Sequence, residues 1–287
     1  MVRRNDPEPD CPRSGHGGDA ITPDLIERTA AVIVLDPVFP EAAAMFCRAV
    51  TDLFAGSALL RSLVHDTGSY AVIAALAGLR AGSDAGWAPT RDVHALLAGD
   101  LSSVRRTTRQ IARLIDLGVV ECAADPADRW VRPLRATPAT MTLLDDWHRA
   151  HVLPLRLWAP GSAAPAPAAA RWKAMVVMLR RDHGYTLLHP FPDIAAIMKQ
   201  AGGYLAMLAL RLKPDAHARA LGPRFGVSAT QMRSVLPHVR ALDPETVDRW
   251  LATEIGFARL IAAGADAARR APGLTMAHSA LGSACDV

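Results

Sequence analysis

Arg105, Arg106, Arg109 and Arg113 stand on a stretch with no acidic residue between Leu101 and Ile115. On a helix over 103–117 the arginines point away from an inward stripe of Thr107, Ile111, Leu114 and Gly118, so the outer face is purely cationic. The chemistry such a face can do is recognition. Guanidinium forks match guanine O6 and N7 as well as phosphate oxygens, which makes Arg105, Arg106 and Arg109 candidates for a DNA major groove. Ser102, Ser103 and Thr108 supply short hydroxyls for phosphate contacts beside them.

Other chemistry finds little support. His65, His94, His183, His189 and His217 are dispersed, with no acid or nucleophile at motif spacing. Cys11, Cys47, Cys122 and Cys285 show no CxxC or Cys/His pattern and are expected as free thiols. There is no nucleophile elbow, Walker loop or dinucleotide fingerprint, and Gly15-His-Gly-Gly lacks the strand and helix a phosphate loop requires. The expectation is a protein that is not an enzyme, with no catalytic residues, metal or cofactor.

The elements that must position the arginines are legible around them. Thr90 is expected to cap a helix through Leu97, Ala98-Gly-Asp-Leu to turn, and Ser102-Ser103 to cap the arginine helix. That is a helix-turn-helix. Two β-prone runs follow, 119–122 and 130–134, joined by a Pro- and Asp-containing turn. This hairpin is a candidate wing, and Arg129 near its tip is a candidate for a minor groove, where narrow A·T tracts concentrate negative potential.

Leu114-Ile-Asp-Leu-Gly118-Val-Val, then Asp125-Pro-Ala-Asp128-Arg129-Trp-Val-Arg132-Pro-Leu134-Arg-Ala-Thr137-Pro, then a helix over 141–151, resembles the MarR family of transcription regulators. The likeness runs from Gly68 to His151. It implies a winged helix in which Asp128 orients Arg129 for the minor groove. It further implies pairing through terminal helices and a pocket for a small aromatic effector between those helices and the DNA-binding lobe. Trp130 departs from the family by replacing a second basic residue, and the chain is nearly twice as long as a family monomer.

That length has an internal explanation. Segment 60–76 parallels 194–210, with Gly68, Tyr70 and Leu76 opposite Gly202, Tyr204 and Leu210, and 103–117 parallels 228–242 in the same order. In the second copy Thr230, Gln231 and Ser234 replace Arg105, Arg106 and Arg109, while Arg233 is the only nearby cation. Pro237 falls inside the expected helix, and no wing precedes the helical pattern 246–263. The fold expected is mainly α, two winged-helix units forming a pseudo-dimer with the second degenerate. Its parts are a tail at 1–20, a DNA-binding domain at 21–160, an Ala/Pro linker at 161–170, a degenerate domain at 171–270 and a tail at 271–287.

Composition agrees with this class. The 287 residues are 51% hydrophobic and 21% charged, which is globular, and only 5% aromatic, which favours Ala-spaced helices over an all-β fold. A net charge of +4 permits a polyanionic partner without requiring one. With no membrane-length apolar run and no signal-like core among the first residues, the chain is expected in the cytoplasm and not in a membrane. Trp147, Trp158, Trp172 and Trp250, with Met175, Met178 and Phe257, lie on the pairing helices, where they either fill the core or line a cavity. The partner expected is double-stranded DNA, bound by a monomeric pseudo-dimer, with a homodimer as the rival. The other function class left open is a ligand-sensing or protein-interaction module that keeps the fold without productive DNA binding.

Overall fold

Thr22 begins the first helix: its Oγ1 accepts from the Leu25 amide at 3.3 Å, and Pro23 occupies the first helical position. The structure is a computed structural model that describes residues 21–64, 67–81, 86–98, 102–123, 132–159 and 167–270. It is mainly helical. In chain order come α1 (Pro23–Val34), α2 (Phe39–Gly56), α3 (Ala58–Val64), α4 (Thr67–Arg80), β1 (Ala88–Pro89), α5 (Thr90–Leu97), α6 (Val104–Asp116), β2 (Val120–Cys122), β3 (Pro133–Ala136) and α7 (Pro138–Val152). After a 3₁₀ turn at Leu153–Leu157 follow α8 (Ala168–Lys173), which continues as a π-helical segment (Ala174–Arg181), then α9 (Pro192–Met198), α10 (Gly203–Leu212), α11 (Ala218–Phe225), α12 (Ala229–Arg240) and α13 (Pro244–Arg270).

The sheet is antiparallel, with β3 in the middle. β2 pairs Val120 with Ala136 and Glu121 with Arg135, while β1 pairs Ala88 with Leu134. Leu134 and Ala136 are buried, so the inward alternation carries the third strand through Ala136, beyond the 130–134 run expected for it. β1 was not foreseen, because two residues carry no period to read. Thr90 also departs from expectation: it lies inside the first turn of α5, and its hydroxyl donates to the Arg132 carbonyl at 2.6 Å, tying the helix to the sheet strand rather than capping it.

α1 lies along α13, and α2, α7 and α13 pack on one another. Phe46, Phe54, Trp172, Trp250 and Phe257 are among the most completely buried side chains, each contributing on the order of 2 kcal/mol or more by leaving water. α8 begins at Ala168, three residues inside the expected linker, because consecutive alanines after Pro167 favour helix. The expected tails 1–20 and 271–287, and most of the linker, lie outside the described residues. No single helix among the described residues is long and apolar enough to cross a membrane.

Candidate nucleic-acid interface

α6 starts where its cap places it. Ser103 Oγ accepts from the Arg106 amide at 3.3 Å, and Gly118, at φ +68°, ends the helix in the left-handed conformation that spares a glycine the Cβ clash. Gly118 is therefore exposed and not part of the inward stripe. Its place is taken by Gln110, buried with Thr107, Ile111 and Leu114. Gln110 reaches α4 so closely that a Cβ at Gly68 would overlap its amide, which would then have to swing aside.

The outward face holds Arg105, Arg106, Arg109 and Arg113, all exposed. Arg105, Arg109 and Arg113 have no acidic partner among the described residues, which leaves their guanidinium groups available to a ligand. The hydroxyls are less available. Ser102 is 5% exposed and its Oγ donates to the Ser103 carbonyl. Ser103 Oγ is engaged in the cap, and Thr108 Oγ1 donates to the Val104 carbonyl at 2.9 Å and lies 3.3 Å from His94 Nε2. Ser102 thus serves the turn and has no side-chain donor to offer a phosphate. Arg129, with Asp125, Asp128 and Trp130, lies outside the described residues.

Val104, the first residue of α6, was not singled out from sequence. It is 57% exposed beside Arg105, where an apolar contact could meet a thymine methyl. The hairpin base that flanks α6 is braced by a Glu121–Arg135 ion pair at 2.6 Å, with Arg135 lying 4.4 Å above the Trp87 ring.

The corresponding surface of α12 is chemically different. Gln231 closes a capping box with Ser228. Arg233 turns back along its own helix, Nε donating to the Ala229 carbonyl and Nη2 to Thr230 Oγ1, both at 3.3 Å. α13 begins soon after α12, with no strand between them. Pro237 is accommodated inside α12 on its exposed side.

In the interior lies a second group of chemically capable residues, of which sequence reading singled out Trp147, Trp172 and Trp250 but not their partners. Phe46, Phe54, Trp147, His151, Tyr204 and Trp250 form a closed ring of contacts, successive centroids 4.8–6.5 Å apart. Tyr70 and Trp172 adjoin it against Trp147. Arg171 and Glu254 pair at 2.8 Å beside the ring, and His151 Nε2 lies 3.8 Å from the same carboxylate. Burial, reinforced by the Arg171 charge, holds His151 well below its usual range, and burial raises Glu254 against the pull of Arg171. Cys47, buried nearby, is pushed up to about 12, which makes it an inert thiol. Trp147 and His151, spaced i, i+4 on α7, were the available signal.

Among the described residues no group of three or more His, Cys, Asp or Glu could hold a metal ion. Comparison of the chain with protein-family models, curated proteins and solved structures finds no match.

Proposed function

We propose that the chain is a sequence-specific double-stranded DNA-binding transcription regulator of the cytoplasm, built as two MarR-like winged-helix units in one chain. The observation that carries this reading is α6 itself: an exposed, acid-free arginine face on the second helix of a helix-turn-helix, followed by a strand pair. Arg105, Arg106 and Arg109 enter the major groove, Arg113 supports them, Ser103 and Thr108 border the phosphates, and Arg129 serves the minor groove. The α9–α12 order repeats the α3–α6 order, and the self-engaged Gln231 and Arg233 make the second unit a scaffold rather than a reader. Selection from random duplexes, then anisotropy across a salt series, tests the reading. A regulator enriches one sequence and loses affinity steeply with salt. Recovery of random sequence defeats it.

A second reading, ligand sensing, has its own observation. The indole N–H groups of Trp147, Trp172 and Trp250, and Arg171 Nη1, are buried with no hydrogen-bond partner among the described residues. Unpaired buried donors cost about 1–3 kcal/mol each, and an acceptor-bearing aromatic effector would relieve that cost. Of these side chains Trp147 also lines a small apolar space with Tyr70, Leu63, Ile73 and Leu144.

A further inference from the structure

Arg180 lies one residue before the end of the π-helical segment, yet its guanidinium works at the end of α5. Nε donates to the Leu96 carbonyl and Nη2 to the Ala98 carbonyl, both at 3.0 Å, while Nη1 holds the Gly184 carbonyl at 3.2 Å. With these bonds the His94, Leu96, Leu97 and Ala98 carbonyls at the end of α5 all have donors. The His94 carbonyl accepts from the Ala98 amide, and the Leu97 carbonyl accepts from the Ser102 amide. Leu96 and Ala98 would otherwise end the helix with carbonyls unsatisfied by it, and a cation there also complements the helix dipole.

Ala98 and Ser102 are the two ends of the connection from α5 to α6, and Ser103 caps α6. The Ser102 amide bonds back to the Leu97 carbonyl, so the clamp on the end of α5 is coupled to the start of α6. Its own support is rigid. α4 packs directly on α8 and the π-helical segment, so closely that a Cβ at Gly78 would fall 2.5 Å from Val176 Cβ and 2.8 Å from the Trp172 carbonyl. π-helical turns are uncommon and are found mostly at functional sites. Here the widened backbone delivers Arg180 to α5.

We propose that Arg180 is a positioning residue for DNA reading: it fixes the end of α5, to which the start of α6 is hydrogen-bonded, and so orients the arginine face of α6. The proposal rests on the DNA reading above and adds a role for the second half. Arg180 needs no phosphate contact to act. Its guanidinium serves three carbonyls at once, which the single ammonium of a lysine reproduces less well.

Two measurements on the full chain test it, with Arg180→Ala and Arg180→Lys. The first needs no DNA. Amide exchange in Arg180→Ala should quicken about tenfold at Ser102 to Thr107 while α13 keeps wild-type rates, with Arg180→Lys between. Unchanged exchange at those amides overturns the clamp. The second uses a duplex selected by the wild-type chain and a scrambled control. Arg180→Ala should lose about tenfold on the selected duplex, with scrambled binding and the salt slope unchanged. Equal losses on both duplexes, with a slope smaller by about one, make Arg180 a phosphate contact instead and overturn the proposal. A wild-type chain that selects no duplex, with the exchange difference intact, overturns the DNA reading on its own.

Discussion

Arg171 Nη2 lies 2.8 Å from Glu254 Oε2, an ion pair between α8 and α13 whose side chains are 4% and 12% exposed. The Arg171 guanidinium also sits over the Phe257 ring, 5.3 Å from its centroid. A pair this buried gives up hydration on both sides, so its attraction and its desolvation nearly cancel. What it supplies is specificity, since each member is tolerable only opposite the other. The pair thus fixes how α8 enters the interior.

From this follows an asymmetry between single and double replacement. Arg171→Ala should cost about 3–5 kcal/mol, because it strands a buried carboxylate. Arg171→Met with Glu254→Leu should bring stability back to the wild-type level or above it. Urea unfolding measures both. A single variant as mild as the double would show that the pair is solvated in solution.

The same interior predicts an acid limb to stability. His151 Nδ1 donates to the Trp147 carbonyl at 2.8 Å, and the ring's folded-state pKa is well below 6.5. As pH falls below about 6.5 the unfolded chain therefore takes up a proton that the folded chain refuses, and stability declines. Glu254 acts in the opposite sense, because its raised pKa lets the folded state bind a proton first in the window above 4.5. Thermal unfolding from pH 7.5 to 5.5 should show a falling Tm in wild type and a flatter line in His151→Gln. Parallel lines would place the limb elsewhere.

α6 was readable because its main signals are local: Ser103 as cap and arginines at helical spacing, although Gly118, which ends it, was read into the inward stripe. The second β-strand was readable for the same reason. Arg171 and Glu254 are far apart in sequence, as are Arg180 and Leu96, and no periodicity links such partners. The residues that join the halves were invisible for that reason, although the helices carrying them were anticipated. Gln110 was misplaced because an amide on an arginine helix reads as solvent-facing until Gly68 is seen to make room for it.

Gly78 makes the close packing of α4 on α8 testable. Gly78→Ala must push a methyl into Val176 and the Trp172 carbonyl, and should destabilise by about 1–3 kcal/mol. Gly56, at the end of α2, has open space around its Cβ position, so Gly56→Ala should be neutral or stabilising by up to about 1 kcal/mol. Equal effects at the two sites would mean that the helices stand further apart than the structure has them.

On the proposed reading α6 and α12 should differ in DNA binding. Arg105→Ala or Arg109→Ala should cost about 1–3 kcal/mol on the selected duplex, and Arg106→Ala should act more evenly across sequences if it serves phosphate. Gln231→Ala with Arg233→Ala should change affinity by less than about 1 kcal/mol, since both side chains are engaged within α12. Anisotropy against matched and scrambled duplexes decides. A loss at α12 equal to that at α6 would make the second unit a reader too.

Assembly is the last expectation. One winged helix offers few phosphate contacts, which is why such units work in pairs with half-sites about one helical turn apart. In this chain α1 packs along α13, and α2 and α7 pack against α13, which on the proposed reading is the pairing of the two units. A covalent connection makes that pairing independent of concentration. The free protein should therefore scatter light as a 30.6 kDa monomer at all concentrations. Footprinting should show an asymmetric site with one strongly protected half, because Arg105 and Arg109 have no counterparts on α12. A species of twice that mass protecting two inverted and equally strong half-sites would replace the pseudo-dimer with a true one, in which two copies of α6 share the operator.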